Sequence, residues 1–119
     1  MKIAEQKLRI ASQKLEVLCS ELIIEKKLDL TLRRLRYVLI DTCILYIQYN
    51  NYGEYSYSII YSSLERDLAR FDNHDAHWNV DTSPHHFHPR NQYEAVKSPM
   101  KGVPSTDMEE LSNFLKFGS

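Results

Sequence analysis

Between Leu35 and Asp72 the chain alternates apolar and polar residues in four short runs, with no helix-period segment between them. Leu35, Tyr37 and Leu39 alternate with Arg34, Arg36, Val38 and Ile40, as side chains do when a strand points them to opposite faces. A turn at Asp41–Thr42 leads into 43–49, where Cys43, Leu45, Ile47 and Tyr49 share a face. NNYGE at 50–54 is a turn signal, and 55–61 and 66–72 supply two further runs. Strands joined without crossover helices must be antiparallel neighbours. Leu28, Leu30 and Leu32 also alternate, out of phase with Leu35, which a bulge or turn near Arg33–Arg34 reconciles.

Helical periodicity flanks this region. Ala4, Leu8, Ala11, Leu15, Leu18 and Leu22 recur at spacings of four and three, predicting one helix over 3–28 with its stripe on the sheet. The near-heptad spacing leaves a homodimer through this N-terminal helix as the alternative use of the stripe. Thr106 and Glu109 have capping-box spacing, and Met108, Leu111, Phe114 and Leu115 form an apolar face. The expected fold is α+β, an antiparallel sheet of four or five strands with a long N-terminal helix and a short C-terminal helix. At 119 residues it is expected to be one domain, 1–119. Its parts are a helix over 1–28, a sheet with a histidine-rich loop over 30–90 and a helix over 105–117.

No apolar run is long enough for a membrane-spanning helix, and the first ten residues lack a signal-peptide core. Cys19 and Cys43 form no CxxC pair and read as reduced core thiols, so a cytoplasmic location is expected. The net charge of −1 hides an asymmetry. Residues 1–40 carry nine Lys/Arg against five Asp/Glu, whereas 41–119 carry six against eleven. Arg33, Arg34 and Arg36 are the dense basic cluster and the expected phosphate contacts.

Chemistry concentrates in RFDNHDAHWNVDTSPHHFHPR at 70–90. All five histidines lie here (His74, His77, His85, His86 and His88), with Asp72, Asp75, Asp81 and the only tryptophan, Trp78. Imidazole titrates near neutrality, so one histidine serves as base while another serves as acid. Cleaving RNA through its 2′-hydroxyl needs that pair and a cation for the charged transition state. Two histidines and Arg70 supply these, with Asp72 orienting an imidazole and a tyrosine adding a hydrogen bond. No GxSxG, P-loop or GxGxxG competes.

Metal binding is the other use of such residues. His74-x-x-His77 and His86-x-His88, with Asp72 or Asp75, have the spacing to hold zinc or a similar divalent ion. Neither HExxH nor paired CxxC occurs, so the expected site needs no cofactor. A non-catalytic module holding a partner or metal in the same loop is the competing class. In the plain structural reading, Arg70 and Asp72 are a same-face ion pair and the tyrosines are sheet formers. A four-residue loop at 62–65 sets Tyr57 opposite Arg70 and Tyr55 opposite Asp72, gathering all four on one face.

YSYS at 55–58, RFDN at 70–73 and PHHFH at 84–88 resemble the TumE-type toxins of prokaryotic toxin–antitoxin modules. By matching positions, the resemblance marks Tyr55, Tyr57, Arg70, Asp72, Asn73, His85, His86 and His88, with His77 beside them. It implies a toxin neutralised by a small antitoxin encoded next to it. With the residues above, the expected activity is metal-independent ribonuclease action. Arg70, Asp72, His85, His86, His88, Tyr55 and Tyr57 are then catalytic, and Arg33, Arg34, Arg36, Asn73 and His77 bind RNA. His86→Ala or His88→Ala should abolish toxicity with the fold intact.

Overall fold

The computed structural model describes residues 3–74 and 78–118. Among these described residues, seven strands form one sheet in chain order, each antiparallel to the next. They are β1 (Ile23–Asp29), β2 (Arg34–Leu39), β3 (Ile44–Tyr49), β4 (Tyr55–Ile60), β5 (Leu68–Asp72), β6 (His86–His88) and β7 (Val96–Lys97). Helices α1 (Ile3–Leu18) and α2 (Pro104–Phe117) pack together over one face. The α+β antiparallel architecture is as expected, but the sheet exceeds four or five strands through β1 and β7.

The helix expected to reach residue 28 stops at Leu18. A 3-10 turn at Ser20–Leu22, closed by the Leu22 amide on the Cys19 carbonyl (3.0 Å), swings the chain into β1. Glu25, Lys26 and Lys27 in β1 are good helix formers, so helical periodicity reads straight through the turn. As an edge strand, β1 needs little apolar alternation, and its charges discourage pairing with another chain.

Ala4, Leu8, Ala11 and Leu15 are fully buried against the sheet. The stripe that suggested a homodimer is therefore covered within the chain. It meets Leu35, Tyr37, Leu45 and Ile47, while α2 adds Met108 and Leu111 and sets Phe114 edge-on to Phe71 and Phe87. Emptying one such position, Leu45→Ala for example, costs about 2–5 kcal/mol.

The expected capping box does not form, because α2 starts earlier, with Pro104 in its first turn and Val103 as cap. Asp107 instead reaches back to accept the amides of Lys101 (2.9 Å) and Gly102 (2.8 Å). Gly102 has φ 81°, and a Cβ there would lie 3.0 Å from the Tyr55 ring, so only glycine fits. Among the described residues, no helix is long and apolar enough to cross a membrane.

The β4–β5 register differs by one residue from the expected one. Ser58 faces Arg70, Ser56 faces Asp72 and Tyr57 faces Phe71. The connection runs 61–67 rather than 62–65, fastened by the Tyr61 amide on the Asp67 carbonyl (3.0 Å). Side chains alternate across the sheet, so Tyr55 and Tyr57 point under the helices while Arg70 and Asp72 point to the other face. No described helix packs on that other face.

Candidate active site

On the open face, Arg70 of β5 lies directly across from His88 of β6, and Asp72 from His86. The Asp72 carboxylate organises the group. Its Oδ2 accepts Arg70 Nε (2.7 Å), and its Oδ1 meets His86 Nε2 (2.8 Å) and the His74 amide (3.1 Å). The other ring nitrogen of His86, Nδ1, lies 2.9 Å from the Pro84 carbonyl. Asp72 and His86 are buried, whereas the Arg70 side chain stays 42% exposed and His88 is half-buried. The Trp78 ring stands edge-on to His88, with centroids 5.3 Å apart.

Arg70 separates two shallow clefts. One, of about 300 Å³, is lined by Gln48, Ser56, Arg70, Asp72 and His74. The other, of about 240 Å³, is lined by Arg70 and His88 together with Glu65, Arg66, Leu68, Pro89 and Gln92. Arg70 therefore shares one cleft with His74, whose Nδ1 lies 4.0 Å from Glu54 Oε2, and the other with His88. By its spacing to His77 alone, His74 reads only as a metal ligand. Its even-number parity with Asp72, two residues beyond, was the signal for this placement.

Several expected site residues lie elsewhere. Tyr57 is buried under the helices, donating to Asp107 Oδ2 (2.7 Å) and paired with the Tyr49 hydroxyl (2.9 Å). Burial, followed by the neighbouring Tyr49 hydroxyl and the Asp107 carboxylate, holds its phenol far above the ordinary range, so it stays protonated. Tyr55 is raised for the same first reason and bonds His85 Nδ1 (2.9 Å) across stacked rings. His85 thus belongs to the helix side. Asn73 is committed to backbone, accepting the Tyr55 amide (3.0 Å) and donating to the Gly53 carbonyl (2.9 Å).

Arg34 and Arg36 share the open face with Arg70, three strands away, roughly 14 Å at the usual strand spacing. Arg33 sits apart in the β1–β2 turn with φ 54°. His77 and Asp75 lie outside the described residues. A further cleft of about 280 Å³ contains Cys43, Tyr61 and Arg90. Burial raises the Cys43 thiol to about 11, which leaves it a poor nucleophile.

The family model described as Toxin TumE matches residues 10–117, from α1 to the end of α2. The chain belongs to this toxin family. No match was found among curated proteins or among solved structures.

In this TumE-family member Arg70, held by the buried Asp72 carboxylate, shares one cleft of the open face with His74 and another with His88. Asp72, His86 and His88 also bring ligand atoms within 4.8 Å of one another, a spacing that one ion could bridge. The site can thus move protons beside a bound anion or ligate a cation.

Proposed function

We propose that this toxin acts on RNA as a ribonuclease by histidine acid–base catalysis, held in check by a cognate antitoxin. The observation that carries the reading is Arg70 on the open face, in one cleft with His88 and in another with His74. Arg70 donates Nε to Asp72, and among the described residues its terminal amino groups carry no hydrogen bond, which leaves them for a phosphate. One imidazole takes the 2′-hydroxyl proton as the 2′-oxygen attacks phosphorus. The other protonates the departing 5′-oxygen, giving a 2′,3′-cyclic phosphate and a 5′-hydroxyl. Asp72 and His86 are positioning residues, because they fix Arg70 and the β6 strand that carries His88.

The test is expression with and without the antitoxin encoded beside it, followed by incubation of purified protein with RNA. Growth arrest without antitoxin, and fragments ending in cyclic phosphate, are the expected results. Unimpaired growth together with intact RNA sinks the reading.

One observation favours a second reading, a metal-binding module at Asp72, His86 and His88. A proton on Nδ1 bonded to the Pro84 carbonyl would fix the ring and present Nε2 as the ligating atom, as carbonyls commonly do for metal-bound histidines. Protein purified without an affinity tag would then hold near-stoichiometric zinc or a similar ion, lost in His88→Ala.

A further inference from the structure

We infer that single-stranded RNA crosses the open face along one cross-strand row, Lys27, Arg36, Tyr46, Ser58, Arg70 and His88, reaching the site from the β1 edge. This rests on the reading of the toxin as RNA-directed and supplies the path that reading lacks.

The strand registers define the row. Lys27 faces Arg36, Arg36 faces Tyr46, Tyr46 faces Ser58, Ser58 faces Arg70 and Arg70 faces His88. Each strand from β1 to β6 contributes one residue, so the row spans roughly 24 Å at the usual strand spacing. Two contacts fix the side on which it lies. Lys26 turns to the helices, where Nζ meets Glu16 Oε2 (2.7 Å), so its neighbour Lys27 projects to the open side. The Arg34 guanidinium sits 4.5 Å from the Tyr46 ring centroid, placing even-numbered residues of β2 and β3 on one face.

Charge singles this row out. It contains three Lys/Arg and no carboxylate. The next row, Asp29, Arg34, Gln48, Ser56, Asp72, His86 and Lys97, balances two carboxylates against two cations. Beyond it on the other side, Glu25, Val38, Ile44, Ile60 and Leu68 are one carboxylate and four apolar residues. Among the described residues, Lys27 and Arg36 form no ion pair, so their charge is available to phosphates.

Stacking favours a single strand over other polyanions. The half-buried Tyr46 ring lies mid-row, and His88 with Trp78 ends it, giving splayed bases aromatic surfaces. The row length suits the lower end of the ~4–16 nucleotides that small single-strand-binding folds cover.

The test uses the full chain and a 2′-O-methylated oligoribonucleotide of roughly 12 nucleotides, which cannot be cut through its 2′-oxygens. Binding is followed by fluorescence anisotropy across a salt series. Lys27→Ala/Arg36→Ala should weaken binding about tenfold or more at low salt and flatten the log–log salt slope by ~1.4, about 0.7 per lost phosphate contact. Arg9→Ala/Lys101→Ala, at exposed cations off this face, should leave affinity and slope unchanged. Tyr46→Ala should lower affinity with the slope retained.

Equal affinity and slope in Lys27→Ala/Arg36→Ala and wild type overturn the path, while cleavage by wild type would still uphold the ribonuclease. If wild type binds no oligonucleotide and Lys27→Ala/Arg36→Ala instead loses the antitoxin, the row is a protein interface and the proposal is overturned. Row-dependent binding without cleavage upholds the path and removes the ribonuclease.

Discussion

His86 bridges Asp72 and the Pro84 carbonyl, with Nε2 2.8 Å from Asp72 Oδ1 and Nδ1 2.9 Å from the carbonyl oxygen. Both contacts are shielded, since His86 is 1% and Asp72 3% exposed. A buried pair that loses one member leaves the other desolvated without compensation. Asp72→Ala and His86→Ala should each destabilise the protein by about 3–5 kcal/mol, read from urea unfolding. A change too small to measure would show that the pair is not structural. Because His86 is buried between Asp72 and the Pro84 carbonyl, activity lost in His86→Ala is not by itself a catalytic signature.

Tyr57 shows the reverse case, a residue expected in the site that the structure uses for packing. Its hydroxyl donates to the buried Asp107 carboxylate, which also holds the Lys101 and Gly102 amides. Tyr57→Phe should cost about 1.5–3 kcal/mol, the worth of a hydrogen bond to a charged group. RNA cleavage per folded molecule should stay near wild type. A large fall in turnover at unchanged stability would return Tyr57 to the site.

The central strands β2 to β5 and the histidine cluster were legible because alternation and residue type are local properties. Register was not. Parity alone placed His86 and His88 together, but the grouping of Tyr55 and Tyr57 with Arg70 depended on the length of one loop. That loop turns through Arg66 at φ 69°, a left-handed conformation that no glycine announces. It is secured at its end by Asp67, which receives Ser62 and Arg90. Similarly, β1 was masked by Glu25, Lys26 and Lys27, and the family motifs marked His85 without showing that its ring stacks on Tyr55 beneath the sheet.

The same Asp67 makes a pH prediction. Hydrogen bonds from Arg90 and then Ser62 lower its carboxyl below the ordinary range. A depressed folded-state pKa adds stability that is complete above the unfolded value of about 3.9 and is lost as pH falls below it. Thermal melts from neutral to strongly acidic pH should therefore show Asp67→Asn losing less stability than wild type over that acid range. Parallel curves would mean that the Arg90 contact does not persist in solution.

Arg70, His74 and His88 separate chemistry from binding. Neither imidazole carries the buried framework that His86 does, since His74 is exposed and His88 half-buried. His74→Ala and His88→Ala should each slow cleavage by about 10²–10⁴-fold, with the exposed His74→Ala within ~0.5 kcal/mol of wild-type stability. Wild-type rate against pH should be bell-shaped. The variant lacking the base should lose the acid limb, and the variant lacking the acid should lose the alkaline limb, which assigns the roles. Arg70→Ala should depress kcat more than it raises KM, because a guanidinium on the phosphate acts most strongly as charge develops. Lys27→Ala/Arg36→Ala should raise KM alone. A His88→Ala enzyme with wild-type kcat and both limbs intact would place the proton transfers elsewhere.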